Sequence, residues 1–153
     1  MNLEITSRLA LSAFLSGTIG LERAWRGKPA GLRTHVLVSL GSTLIVMISL
    51  HMAGMGGNID PTRIASNVVT GLGFLGAGTI IHSGRNVHGL TTAASLWAVG
   101  ALGLAVGCGY FEGALQGWAF VLFTLHILDR LERYLVDRLG PRTREALKSW
   151  MLD

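Results

Sequence analysis

Apolar residues gather in five blocks along the chain, over residues 5–21, 34–53, 64–81, 90–108 and 113–128, with polar and glycine-containing connections between them. An α-helix that crosses about 30 Å of hydrocarbon needs roughly 20 mostly apolar residues. Blocks two to five contain no formally charged residue, and the first holds only Arg8, near its start. The fifth block is short, so Glu112 and Asp129 are expected at the membrane interfaces that bound it. The pattern predicts an all-α, polytopic membrane protein of about five transmembrane helices over residues 1–128. The connections centre on 27–31, 54–60, 83–89 and 109–112.

A different period follows. Leu128, Leu131, Leu135, Val136 and Leu139 recur at helical spacing among charged residues. Asp129 with Arg133, and Arg133 with Asp137, form i,i+4 pairs. Gly140-Pro141 breaks this helix, and residues 142–152 read as a second short amphipathic piece. Residues 129–153 are therefore expected to form an amphipathic cytoplasmic tail, lying on the inner leaflet or against a second copy.

Composition sharpens the class. Half the residues are hydrophobic, 14% are charged and the mean hydropathy is +0.48, whereas soluble domains carry about 25% charged residues. A soluble globule of this length must cover more surface with polar groups than that. Cys108 is the single cysteine, which excludes an intramolecular disulfide and a cysteine-based metal cage. Glu4 precedes Arg8, the first basic residue, so the N-terminus does not read as a cleavable signal.

The net charge of +4 arises from basic residues between and after the apolar blocks, a placement that suits anionic lipid rather than nucleic acid. Arg23, Arg26, Lys28, Arg33, Arg85, Arg130, Arg133, Arg138, Arg142, Arg144 and Lys148 fall on one side of a five-span layout, and only Arg8 and Arg63 on the other. The positive-inside rule then places the N-terminus outside and the C-terminus in the cytoplasm.

Motifs that first resemble catalytic chemistry fail on context. Gly71-Leu72-Gly73-Phe74-Leu75-Gly76 has the GxGxxG form, but a dinucleotide site needs a preceding strand and an acidic residue about 20 positions later. No Asp or Glu occurs between Asp60 and Glu112. His82-Ser83-Gly84 lacks a nucleophile elbow. His35 and His51 are too far apart on one helix to share a metal, and His82 with His88 makes two ligands at most, so histidines are expected to be solvated or interfacial.

Close helix packing accounts better for the glycines. Ala93, Gly100, Gly103 and Gly107 fall near one face of the fourth block, and Gly71 and Gly78 lie two turns apart on the third, one turn beyond Asn67. With Gly73 and Gly76 these positions predict a tight crossing of the third and fourth helices. The candidate functional polar groups are Glu22 and Arg23 at the end of the first block and Asp60-Pro61-Thr62-Arg63 before the third, where Asp60 suits an N-cap and Pro61 a first helical turn. No carboxylate falls near a predicted midplane, where Asn67, Thr70 and Thr91 are the available oxygen donors. That is poor ground for a Mg²⁺ pathway, since Mg²⁺ favours carboxylates with retained water. No catalytic, cofactor or metal site is expected, and the protein reads as non-enzymatic.

Gly20-Leu21-Glu22-Arg23, then Gly27-Lys28-Pro29-Ala30-Gly31-Leu32-Arg33-Thr34-His35, resemble the first block of the MgtC/SapB family. Asp60-Pro61 with Arg63-Ile64-Ala65, the run from Gly71 to Gly78, and Gly89-Leu90-Thr91-Thr92-Ala93-Ala94 with Trp97 resemble its later blocks. Asn67 stands where the family pattern has Gln. The likeness covers about residues 3–128, and adds Arg33, Thr91 and Thr92 to the candidate functional residues. About two dozen residues follow the last block, which is similar to the membrane-only branch that lacks the ACT-like C-terminal domain of long members. The resemblance implies a homo-oligomeric (dimeric) protein of the bacterial inner membrane, tied to low Mg²⁺, acid stress or life inside a host. It implies regulation of another membrane complex, such as an F-type ATP synthase. A transporter or channel for Mg²⁺ or another ion is the alternative.

The topology is directly testable. A fluorescent protein fused to the C-terminus is expected to glow in the cytoplasm, and Cys108 to react with a membrane-impermeant maleimide from outside. An active alkaline phosphatase fusion at the C-terminus rules out the five-span arrangement.

Overall fold

The computed structural model describes residues 3–56, 60–83 and 86–138. Arg85 and the predicted tail features beyond Arg138, from Gly140-Pro141 onward, lie outside the described residues, as do the side chains of Arg133 and Asp137. The chain is nearly all-helical. In order it forms α1 (Leu3–Trp25), α2 (Leu32–Gly54), α3 (Pro61–Ala77), a hairpin of β1 (Ile81–Ser83) and β2 (Asn86–His88), α4 (Leu90–Gly107), α5 (Phe111–Phe123), a π-helical turn (Thr124–Leu128) and α6 (Asp129–Arg138).

Five long helices thus stand where the five apolar blocks predicted them. Three of them suffice to cross a bilayer by length and composition alone: Leu32–Gly54, Leu90–Gly107, and the continuous stretch Phe111–Val136 that joins α5 to α6. Of the others, α3 has 17 residues, and α1 carries Glu4, Arg8, Glu22 and Arg23.

Two boundaries differ from the sequence expectation. The third helix stops at Ala77, and Ile81 pairs antiparallel with His88 across the hairpin. The glycine-rich end of α3 weakens the helix, and β-branched Ile80 and Ile81 favour the extended state. Ser83 and Asn86–His88, expected as loop, are therefore strand. The fifth helix does not end at Leu128: backbone bonding continues through the π turn into α6, since no Gly or Pro interrupts residues 118–139.

Helix starts follow local chemistry. The Asp60 carboxylate accepts from the backbone N–H of Thr62 at 2.9 Å and Pro61 occupies the first turn of α3, as the sequence indicated. Gly89, before α4, has φ +89°, and a Cβ there would overlap the carbonyl of Thr79. Only glycine meets both demands.

The helices alternate in direction around a central parallel pair, α2 and α4. Leu15, Ile19, Val99, Leu102, Val106, Ala114 and Leu125 form the apolar core where α1, α4 and the α5 stretch meet. Trp118 Nε1 donates to Thr18 Oγ1 at 2.8 Å and ties α5 to α1.

The glycine row of α4 sets the central contact. A Cβ at Gly103 would overlap the carbonyl oxygen of Ser39 and sit 2.9 Å from Ser42 Cβ, and one at Gly107 would lie 2.7 Å from the carbonyl oxygen of Thr43. Both glycines therefore face α2, not α3 as the sequence suggested. The expected approach of α3 to α4 occurs at Gly100, against Leu72, and at Gly76, against Ala93. Gly71 and Gly73 face open space, and Gly78 meets only the carbonyls of its own turn.

Substitutions should separate these roles. Gly103→Ala is expected to destabilise the protein by about 1–3 kcal/mol through overpacking against α2. Gly73→Ala should be neutral or stabilise by up to about 1 kcal/mol through helix propensity. Unfolding measured in mild detergent distinguishes the two outcomes.

Candidate functional site

The last two turns of α1 gather charge. Glu22 and Arg26 are one helical turn apart, and Arg26 Nε meets Glu22 Oε1 at 2.5 Å. Arg23 grips the same carboxylate with two nitrogens, Nε to Oε2 at 2.5 Å and Nη2 to Oε1 at 2.8 Å. Arg26 also pairs with Asp129 at the start of α6, and its Nη2 lies 3.4 Å from His126 Nδ1. Two guanidinium groups thus face two carboxylates. Arg23 is only 2% exposed, so its charge depends on Glu22 rather than on water. Basic groups at the C-terminal end of α1 also complement the helix dipole.

The π turn helps to place the partner from α6. One residue more per turn rotates everything beyond it by about 100° relative to an uninterrupted α-helix. That register sets Asp129 and His126 towards Arg26. Arg26 and Asp129 are 103 positions apart, and no local pattern in the sequence links them.

A polar seam fills the bundle between α1, α2 and α4. His35, Ser39, Ser42, Thr43 and Ser49 on α2 are buried, as are Ser12 and Ser16 on α1 and Thr92 and Ser95 on α4. Ser39 Oγ and Ser12 Oγ are 2.8 Å apart, and Ser12 Oγ lies 2.7 Å from Thr43 Oγ1. Thr43 Oγ1 is 2.9 Å from the carbonyls of both Ser39 and Gly103. Thr43, Ser12 and Ser39 thus form one chain of linked hydroxyls, backed by the carbonyls of Ser39 and Gly103. His35 Nδ1 donates to the Gly31 carbonyl at 2.9 Å, while Nε2 lies 3.0 Å from Ser95 Oγ. His35 is completely buried, which corrects the expectation of a solvated or interfacial histidine. The signal was present: His35, Ser39 and Thr43 share one face of α2 at four-residue spacing.

At the opposite end of the bundle, Thr62 donates to Asp60 through its hydroxyl at 2.7 Å as well as through its backbone N–H. These two bonds, side chain first, hold the Asp60 carboxyl below the usual carboxylate range. The cap is therefore complete at neutral pH and is lost only as pH falls through that lowered value. The carboxylate caps α3 instead of pairing with Arg63, which is exposed.

The candidate residues from the sequence divide accordingly. Glu22 and Arg23 come together, with Arg26 and Asp129 added by the fold. Thr92 lies in the buried seam, where its carbonyl is 2.8 Å from Ser95 Oγ. Arg33, Arg63, Asn67 and Thr91 are exposed and do not join either cluster. Among the described residues no group of three or more His, Cys, Asp or Glu side chains is placed to hold a metal ion.

Apolar helices long enough to cross a bilayer, joined by an interior of hydrogen-bonded hydroxyls, define a polytopic helical membrane protein. The chain belongs to the MgtC family, whose model matches residues 9–134. It is 42% identical over 145 residues to YhiD of Escherichia coli K12, whose given name suggests a magnesium transporter; the match takes in 90% of this chain and 66% of YhiD. It is 39% identical to the protein MgtC of Salmonella typhimurium LT2, over 93% of this chain and 59% of that protein. SrpB of Synechococcus elongatus is 41% identical, over 86% of this chain and 78% of SrpB. The chain thus spans under two thirds of the length of YhiD and MgtC. No solved structure matches it.

The ion cluster makes a graded prediction. Glu22→Gln should cost about 3–5 kcal/mol, because it leaves the buried Arg23 without its partner. Asp129→Asn removes a half-exposed partner and should cost about 0–1 kcal/mol. Detergent-phase thermal unfolding of the two variants and of Glu22→Gln with Arg26→Gln checks the order and the coupling.

Proposed function

We propose that the protein is a non-enzymatic regulator of the bacterial inner membrane that docks on another membrane complex through α3. The observation that carries this reading is the outward face of α3. Arg63, Ser66, Asn67, Thr70 and Phe74 share that face, and all are exposed. Asn67 makes no side-chain hydrogen bond among the described residues. Beside it a groove of about 640 Å³ between α2 and α3 is lined by Leu37, Gly41, Ile45, Val68 and Gly71, among others.

In hydrocarbon an amide without a partner is costly, and small residues let another helix approach closely. A polar stripe beside a glycine-lined groove therefore fits protein better than lipid. In this reading the five helices span the membrane with the N-terminus outside and the basic end in the cytoplasm. The family likeness points to an ion-translocating complex such as an F-type ATP synthase as partner, under low Mg²⁺, acid or host stress. It also implies self-association as a dimer.

The name of YhiD favours a second reading, a transporter or channel for Mg²⁺ or another ion. Transporters place their binding groups near the midplane, and here, among the described residues, the interior between the two charged ends offers hydroxyls and His35 but no carboxylate.

One paired experiment decides between them. Purified protein in liposomes with a trapped Mg²⁺-sensitive dye is expected to give no flux above empty liposomes. A crosslinked membrane complex should co-purify from native membranes and be lost in Asn67→Leu, with thermal stability unchanged. Protein-dependent Mg²⁺ flux overturns regulation by docking and establishes transport.

A further inference from the structure

A separate groove opens between α1 and α2 at the end of the bundle away from Glu22. Its volume is about 480 Å³, and Glu4, Arg8, Leu44, Met47, Ile48 and His51 line it. Chemistry changes with depth. Glu4 and His51 stand at the mouth, Arg8 and Met47 lie one helical turn below them, and Leu44 lies about 10 Å below His51 along α2. The groove is thus charged at its rim and apolar beneath.

The charges are held in place. Arg8 Nη2 pairs with Glu4 Oε1 at 2.6 Å, Nη1 donates to the carbonyl of Gly107, and the guanidinium carbon lies 5.7 Å from the centre of the Phe111 ring. Arg8 Nε is covered by the protein and has no acceptor among the described residues. The Glu4 side chain is 67% exposed and presents its charge to the groove mouth.

We infer that this groove binds a phospholipid whose headgroup ends in a primary ammonium, of the phosphatidylethanolamine class. The phosphate is the anion for the accessible part of the Arg8 guanidinium and for His51. The ammonium, two carbons away, is the cation for Glu4, and an acyl chain runs down Leu44, Met47 and Ile48. The site has both signs of charge within one helical turn, and so does this headgroup. A choline headgroup has no N–H to give Glu4, and a glycerol headgroup brings no cation. A free phosphate leaves the apolar floor uncovered. The inference does not depend on the partner proposed for α3, which lies elsewhere on the bundle.

The full chain, reconstituted in vesicles with equal parts of phosphatidylethanolamine, phosphatidylcholine and phosphatidylglycerol, can be extracted in mild detergent and its retained lipid identified by native mass spectrometry. Phosphatidylethanolamine is expected to be enriched about tenfold over the other two, the loss of a charge-assisted hydrogen bond setting the scale. Stepwise N-methylation of the headgroup should erode that preference on the unmodified chain. Glu4→Gln, at an exposed position, should abolish it without changing helicity. Equal retention of the three lipids, preference for phosphatidylglycerol, or an unchanged preference in Glu4→Gln overturns the assignment.

Discussion

Where α2 meets α4, two helices touch backbone to backbone because Gly103 and Gly107 offer no side chain to hold them apart. At that distance the Gly103 carbonyl comes within reach of Thr43 Oγ1, and Ser12 of α1 joins the same hydroxyl chain. The rest of the bundle is arranged around this contact. It fixes the height at which α1 lies against α2, and that height sets both the ion cluster at one end and the Arg8 contact with Gly107 at the other. Lipid tails are as apolar as leucine, so apolar burial alone gives such helices little reason to choose one another. Hydrogen bonds and close packing supply the choice here.

This division explains what the sequence could and could not reveal. Helix positions were legible because the apolar blocks are long and the punctuation is strong: Asp60-Pro61 starts α3, and Gly89 precedes α4. The end of the fifth helix was not, because Asp129 reads as an interface charge until Arg26 is seen to neutralise it. The small face of α4 is visible in the sequence, but its meeting with α2 at Gly103 and Gly107 is not, since a periodic small face does not say which neighbour it meets. His35 shows the same limit from another side. A polar residue in an apolar block reads as interfacial unless its companions at four-residue spacing are read with it. Glu22 and Arg23 were recognisable as adjacent opposite charges, whereas Arg26, Asp129 and Arg8 owe their roles to contacts across helices.

The two ends of the bundle use charge differently. At the basic end opposite charges answer one another within the chain, and Arg23 is shut away from solvent. At the far end the Asp60 carboxylate answers backbone and hydroxyl donors, Arg63 is left exposed, and the Glu4–Arg8 pair is open on its Glu4 side. One end is chemically closed and the other is open to ligands and neighbours. The middle is lined with groups that satisfy each other, which is how a membrane interior tolerates so many hydroxyls.

The π turn at Thr124–Leu128 has a consequence for how this chain tolerates change in length. Helix register beyond that point is set by a count of residues, since one surplus residue is stored there as a wider turn. Deleting a single residue from the turn lets it relax into ordinary α-helix with Asp129 still facing Arg26, because the residue removed is the one the wide turn stores. Deleting a residue further along α6 leaves the ion pair standing. The segment before Asp129 can therefore lose one residue and keep the pair, whereas loss of a second turns Asp129 away from Arg26. A one-residue gap in an alignment at residues 124–128 is thus compatible with a last helix still fastened to the first.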